Sequence, residues 1–418
     1  MRDVNEKRGH RVTTANFKAA YPFQAEAGFG SEGVYIGQSR LGSAFCFDPW
    51  VLYNKKVLTN PNVMIFGEIG SGKSALVKSF LSRELIFKDR RAVIVDPKGE
   101  YGPLANAWGA EPIRLEPGGK VRLNPLNPRG GPEMQLGVLL AVAAAAQKKP
   151  LAPVEQRALT VVLGETAAKE SEPTIPMIVH GLLHPTKNLC EALKLDKSGT
   201  IDAVRGSALA LQNLCEGPLQ GMFDGPSTGD VDFSKRIVVL NLEAFYGGES
   251  IGILMACASA WLRAEIAMQR KHDQRIKNFW VIDEGWKIIA HEGVGEWLQD
   301  SYKHSRSYGI CNIMVLHRVS DLMSAGDGGS RIEALARGLL EDTGTHVIYP
   351  QGSEGVQGVE KVYRLTSVER DVIATAKRGT GLWLVGRTKA IVHHDLSPDE
   401  WQIIDTDARM GAEDSIAA

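Results

Sequence analysis

The chain has 418 residues, 44% of them hydrophobic, which is enough for a large core and two or three lobes. Its 48 basic and 49 acidic residues nearly cancel, so no bulk field draws it to nucleic acid or to an anionic membrane, and any such contact must be local. Five scattered cysteines lack paired metal spacing and do not read as a disulfide framework, which fits a reducing cytoplasm; the longest apolar stretch, near Leu136 to Ala146, is too short to span a bilayer.

Residues 1–20 read as a charged N-terminal extension, and residues 21–132 as the first part of an α/β core. Within it, Val63-Met64-Ile65-Phe66 is an apolar run suited to a buried strand, and the residues from Ala75 to Leu81 carry apolar side chains at helical spacing. Between them stands Gly67-Glu68-Ile69-Gly70-Ser71-Gly72-Lys73-Ser74, the spacing of a P-loop (Walker A). Glycines there let backbone N–H groups turn inward around phosphate oxygens, so Gly67, Gly70, Ser71, Gly72, Lys73, Ser74 and Ala75 are assigned to nucleotide binding. The Lys73 ammonium reaches the terminal phosphates, and the Ser74 hydroxyl is a ligand for Mg²⁺.

A second strand, Ala92-Val93-Ile94-Val95, ends in Asp96-Pro97-Lys98-Gly99-Glu100-Tyr101, where proline and glycine break it. Glu100 either caps the following turn or reaches the nucleotide, and the structural role is preferred. Residues 133–230 change character: helical periodicity, alanine and leucine dominate, with breaks at Pro150, Pro153, Pro173, Pro176 and Pro185. They read as an inserted all-helical lobe, the alternative being further core helices on the sheet.

Residues 231–396 return to the α/β pattern, with strands at residues 237–240, 279–282, 312–316 and 346–349. The strand Phe279-Trp280-Val281-Ile282 runs into Asp283-Glu284, a Walker B element. Asp283 is placed in the Mg²⁺ shell opposite Ser74, and Glu284 accepts a proton from the attacking water. Arg306, on the helix before the next strand, is the candidate arginine finger supplied across a subunit interface; that face also reads simply as solvated. The strand after it ends in Leu316-His317-Arg318, where His317 or Arg318 is the candidate sensor of the γ-phosphate, the plain alternative being a hydrogen-bonded loop histidine. Residues 397–418 form a small, acidic C-terminal tail.

In chain order, Tyr21-Pro22-Phe23, Gly33-Val34-Tyr35-Ile36-Gly37, Phe47-Asp48-Pro49-Trp50, the P-loop, the Asp96 to Tyr101 segment, Leu123-Asn124-Pro125-Leu126, Val281 to Trp286 and Ser305-Arg306-Ser307-Tyr308-Gly309 resemble the conjugation and type IV secretion ATPases of the VirB-four/TraC group, relatives of the FtsK/HerA translocases. The resemblance implies a RecA-like P-loop NTPase with a mostly parallel sheet, ATP and Mg²⁺ as cofactors, and a helical insertion. It also implies a hexameric ring of this chain, at the cytoplasmic face of the inner membrane, working with channel components of the secretion apparatus. It strengthens Arg306 as a finger. Two departures are visible. Leu316-His317 stands where the family usually has threonine and glutamine, and the large N-terminal domain typical of full-length members is missing, so a separate polypeptide is expected to supply it unless this homologue does without.

Three functions compete. The first is an ATP-hydrolysing motor that energises assembly of, or transfer through, a secretion channel. The second is a DNA pump of the coupling-protein or FtsK/HerA kind, for which the basic residues Arg263, Arg270, Lys271, Arg275 and Lys277 are the local candidates. The third is a nucleotide-binding scaffold with little hydrolysis, motivated by His317 and opposed by the intact Lys73, Ser74, Asp283 and Glu284.

Overall fold

Successive side chains of a strand point to opposite faces, and here both faces are apolar: Val63 and Ile65 belong to one buried cluster, Met64 and Phe66 to another. A strand buried on both sides must lie inside a sheet covered by helices on each face. The structure, a computed structural model, describes residues 28–404 except 129–130, 218, 229–234, 249–250, 273–275, 290–291 and 321–330. Tyr21-Pro22-Phe23, the 1–20 extension and the end of the C-terminal tail lie outside the described residues, as do Arg275 and the side chains of Arg263, Arg270 and Lys271.

The strands are β1 (Val34–Ser39), β2 (Ala44–Phe47), β3 (Val63–Phe66), β4 (Arg90–Asp96), β5 (Ile113–Arg114), β6 (Ile237–Asn241), β7 (Lys277–Ile282), β8 (Ile310–Leu316), β9 (Thr345–Ile348), β10 (Thr380–Val385) and β11 (Thr388–His394). They form one sheet in the order β2-β1-β11-β10-β9-β3-β8-β7-β4-β6-β5. From β9 to β5 every neighbouring pair is parallel, whereas β10, β11, β1 and β2 add an antiparallel flank. The β10–β11 hairpin turns within two residues, with Gly386 at φ +58°, a left-handed conformation that suits glycine.

One face of the sheet is covered by α1 (Pro49–Asn54), α2 (Lys73–Glu84) and α3 (Gly102–Ala107), whose Leu52, Leu76, Phe80 and Leu104 share a core with Ile94, Phe279 and Val315. The other face carries α4 (Pro132–Gln147), α5 (Pro153–Ala167), α6 (Ile175–Leu183), α7 (Lys187–Leu193) and α8 (Lys197–Glu216), which follow one another with no strand between them among the described residues. Their Leu139, Leu159, Ile178 and Leu211 join the same buried cluster as Phe66, Val95 and Leu240, so these helices share the core of the sheet. The helices α9 (Ile251–His272), α10 (Trp286–Ile289), α11 (Glu292–Tyr308), α12 (Arg331–Glu341), α13 (Ser353–Val362), α14 (Ser367–Thr375) and α15 (Pro398–Ile404) complete the described chain. This is the mixed α/β, mostly parallel architecture expected of a RecA-like P-loop protein. No helix among the described residues is long and apolar enough to cross a membrane.

Candidate nucleotide-binding site

In a parallel sheet the loops at the carboxyl ends of neighbouring strands share one rim. The order β3-β8-β7-β4 therefore sets four loops side by side: the P-loop after β3, His317 after β8, Asp283-Glu284 after β7, and the Asp96 to Tyr101 segment from the end of β4. Together they line a cleft that includes Gly70, Gly72, Lys73, Ser74, Ala75, Lys98, Glu100, Asp283, Glu284 and His317.

The P-loop geometry explains its residues. A Cβ on Gly67 would come within 2.6 Å of Ser71 Oγ and of Tyr349 Cβ, so only glycine fits there. Gly72, at φ +109°, is the N-cap of α2 and needs the left-handed freedom of glycine. Helix α2 then starts at Lys73 with its free N–H groups and positive dipole end at the cleft, where an anion is favoured. The buried Lys73 Nζ donates to the carbonyl oxygens of Gly67, at 2.5 Å, and Glu68, at 2.8 Å. Burial pulls its ammonium down to about 8, with the Asp283 charge pulling the other way.

Asp283 is buried at the end of β7. Its Oδ1 accepts the Glu284 N–H at 2.9 Å, whereas its Oδ2 is buried and has no hydrogen-bond partner among the described residues. Burial pushes this carboxyl up to about 7, with the Lys98 charge opposing and the Glu284 and Glu100 charges adding. An orphaned carboxylate oxygen in a cleft that also presents the Ser74 hydroxyl is the hard-oxygen donor set that suits Mg²⁺.

Glu284 has φ +53°, a left-handed conformation rare for a residue with a side chain. Its Oε1 is met by His317 Nε2 at 3.0 Å and by the Lys98 ammonium, and its Oε2 accepts the Trp286 indole N–H at 2.6 Å. Burial alone would raise the Glu284 carboxyl; the hydrogen bonds from His317 and Lys98, with the lysine charge, outweigh it and hold the group down at about 2.

The other candidates fall at different places. His317 lines the cleft, and its backbone oxygen accepts the Gly67 N–H at 2.9 Å, tying β8 to the P-loop. Arg318 turns away: it pairs with Glu68 and Glu354, both at 3.5 Å. Arg306 precedes β8, so the seven residues of that strand separate it from His317 by about 20 Å of chain, and it lies at the opposite end of the sheet from its own cleft. Its Nη1 donates to the Thr59 carbonyl at 3.2 Å. Glu100 lines the cleft while its backbone N–H bonds Asp96 Oδ1 at 3.1 Å, so the turn is capped by Asp96.

Sequence reasoning left Lys98, Trp286 and Arg378 without roles. Lys98 had a signal, a lysine between proline and glycine at a strand end on the nucleotide rim. Arg378 reaches the cleft from the loop before β10, where Gly379 N donates to Ser71 O at 3.1 Å; nothing near it in sequence marks it.

Residues 51–171 match the family described as the central domain of the helicase HerA. An uncharacterized protein of Bacillus anthracis is 30% identical over 109 residues, which span 26% of this chain and 16% of that protein. Among solved structures, VirB4 of Thermoanaerobacter pseudethanolicus superposes with a TM-score of 0.73 at 20% identity, over 90% of this chain and 100% of that one. The plasmid coupling protein TrwB, in complex with the non-hydrolysable ATP analogue ADPNP, gives a TM-score of 0.57 at 17% identity over 94% of this chain and 95% of that one. TrwB in complex with ADP and Mg²⁺ gives 0.57 at 17% over 92% and 93%. Residues 51–171 thus carry the HerA central-domain match, and the chain as a whole has the fold shared by VirB4 and TrwB.

Proposed function

We propose that this protein is a Mg²⁺-dependent ATPase of a conjugative or type IV secretion system, one that energises channel assembly or substrate transfer as a ring of identical subunits. The observation that carries the reading is the placement of Asp283 and Glu284 in one cleft with Lys73 and Ser74, on a fold like that of VirB4. Lys73 and the first N–H groups of α2 hold the phosphates, and Ser74 and Asp283 hold the cation. The cation held there would supply charge neutralisation to the phosphates when bound. Glu284 then takes the proton of the attacking water, and Arg306 is assigned to a neighbouring subunit's cleft, since it does not reach its own.

On this reading the ring stands at the cytoplasmic face of the inner membrane with channel proteins as partners. Residues 21–132 and 231–396 make the motor core, and the helices of 133–230 are its insertion. The likeness to TrwB, named a bacterial conjugative coupling protein, favours a second reading in which the ring pumps DNA.

Steady-state turnover of ATP by the full chain, with and without DNA, tests both. Lys73→Ala should weaken nucleotide binding, while Glu284→Gln should keep binding and lose about 10²-fold or more in turnover. DNA stimulation with a steep salt dependence would favour the pump, and turnover indifferent to DNA the secretion motor. A wild-type ring without turnover would sink both.

A further inference from the structure

We propose that Lys98 is a positioning residue that docks Glu284 against His317 and Trp286, and that the terminal phosphate of a bound nucleoside triphosphate draws the Lys98 ammonium off that carboxylate. This rests on the ATPase reading above. A base that activates water must present an oxygen to it, and Oε1 of Glu284 already has both its acceptor sites occupied, by Lys98 and His317, while Oε2 has one taken by Trp286. For Oε1 to receive water, Lys98 or His317 has to leave it.

The three partners differ in how they can leave. Trp286 stands two residues along the same turn and moves with Glu284. His317 is tied through its backbone oxygen to Gly67 of the P-loop. Lys98 has a long flexible stem on a backbone that is pinned: Asp96 Oδ1 accepts the N–H groups of Lys98, at 3.3 Å, and Glu100, at 3.1 Å, and Asp96 Oδ2 accepts that of Tyr101 at 2.9 Å. Gly99, at φ +71°, lies against Glu243 so closely that a Cβ would meet its Oε2 at 2.3 Å. The backbone stays while the side chain swings.

Lys98 also lines the cleft where Lys73 stands, so a terminal phosphate and Glu284 compete for one ammonium. The left-handed φ of Glu284 is a conformation that its surroundings must hold, and releasing Lys98 removes part of that hold. A diphosphate, lacking the terminal group, leaves the dock closed. The arrangement therefore distinguishes triphosphate from diphosphate before any bond is broken.

The test reads the Trp286 indole, which bonds Glu284 directly, as the difference in fluorescence between the wild-type chain and Trp286→Phe. Mg²⁺ with a non-hydrolysable ATP analogue should shift that difference spectrum, and Mg²⁺ with ADP should not. Lys98→Met should show the shifted spectrum without nucleotide and lose about 10-fold in kcat with KM changed less than about threefold, while Lys98→Arg recovers part of kcat. The proposal is overturned if the analogue binds without moving the Trp286 signal, if ADP moves it equally, or if Lys98→Met turns over like wild type. Those outcomes leave the ATPase reading intact; an analogue-specific Trp286 shift in a chain that never hydrolyses ATP would do the reverse.

Discussion

The imidazole Nε2 of His317 lies 3.0 Å from Glu284 Oε1, so the residue that follows β8 touches the carboxylate that follows β7. The glutamine that the resemblance to the VirB-four/TraC group implies at this position would also offer an N–H, so a hydrogen-bond donor is kept and its ring is new. A hydrogen bond to a charged group contributes about 1.5–3 kcal/mol, which is roughly 10- to 100-fold in a rate that depends on it. His317→Ala should lose kcat in that range with nucleotide affinity unchanged, and His317→Gln should stay within about threefold of wild type. Equal kcat for wild type and His317→Ala would show that the contact is idle.

Arg306 poses a different problem, because its own chain offers it no phosphate. It is exposed on the last turn of α11 and, among the described residues, its side chain bonds the Thr59 carbonyl, so its loss should change folding stability by no more than about 0.5 kcal/mol. If a neighbour's cleft receives it, Arg306→Ala should keep nucleotide binding and lose on the order of 10³-fold in turnover. Mixing Arg306→Ala with Lys73→Ala subunits should restore part of that activity, since each supplies what the other lacks. Full activity of an assembled Arg306→Ala ring would remove the finger.

How much of this was legible follows from where the constraint lies. The P-loop and Asp283-Glu284 are local: each needs fixed residue types at fixed spacing beside an apolar strand, and the sequence states both. The central strands were legible for the same reason, since β3, β4, β6, β7 and β8 each carry a run of four apolar residues and β9 a shorter one, Val347-Ile348. The flank was not named strand by strand: β11 alternates Ala390, Val392 and His394 inward with Lys389 and His393 outward, and β5 is two residues long. Strand order was beyond reach, because parallel strands joined by helices can be arranged in several ways. Lys98 was visible as a residue but not as a contact, since its place depends on Asp96 folding the loop back toward β7.

Arg90 is a buried charge at the end of the sheet opposite the cleft. It pairs with Asp48 at 2.8 Å and Glu84 at 3.1 Å, both buried, and with Asp89 at 2.6 Å. Asp48 in turn caps α1 through the N–H groups of Trp50 and Val51. Burial, with the Asp48 charge adding, pushes Glu84 up to about 8 against the pull of Arg90. Removing one partner from such a cluster leaves uncompensated buried charge, so Arg90→Met should cost about 3–5 kcal/mol in urea unfolding. A loss below about 1 kcal/mol would mean that water replaces the guanidinium.

Acid should weaken the fold through two histidines buried in their neutral form. Burial holds His346 and His394 down at about 4, and for His394 the Arg83 charge adds to burial while Glu400 and Asp395 oppose it. The ordinary histidine value is near 6.5, so the unfolded chain takes up protons first as pH falls. A folded value below the unfolded one means stability present in full above about 6.5 and lost progressively down to about 4. Between pH 7 and pH 5 each histidine should remove roughly 2 kcal/mol. Carboxyls pushed up, such as Glu84, act in the opposite sense, so the total slope mixes signs and a variant at one histidine isolates its contribution. His394→Asn loses the 2.7 Å contact with Ser79 Oγ and starts less stable, yet its unfolding free energy should fall by roughly 2 kcal/mol less than that of wild type over this interval. Parallel pH profiles for the two proteins would show that His394 titrates alike in the folded and unfolded chain.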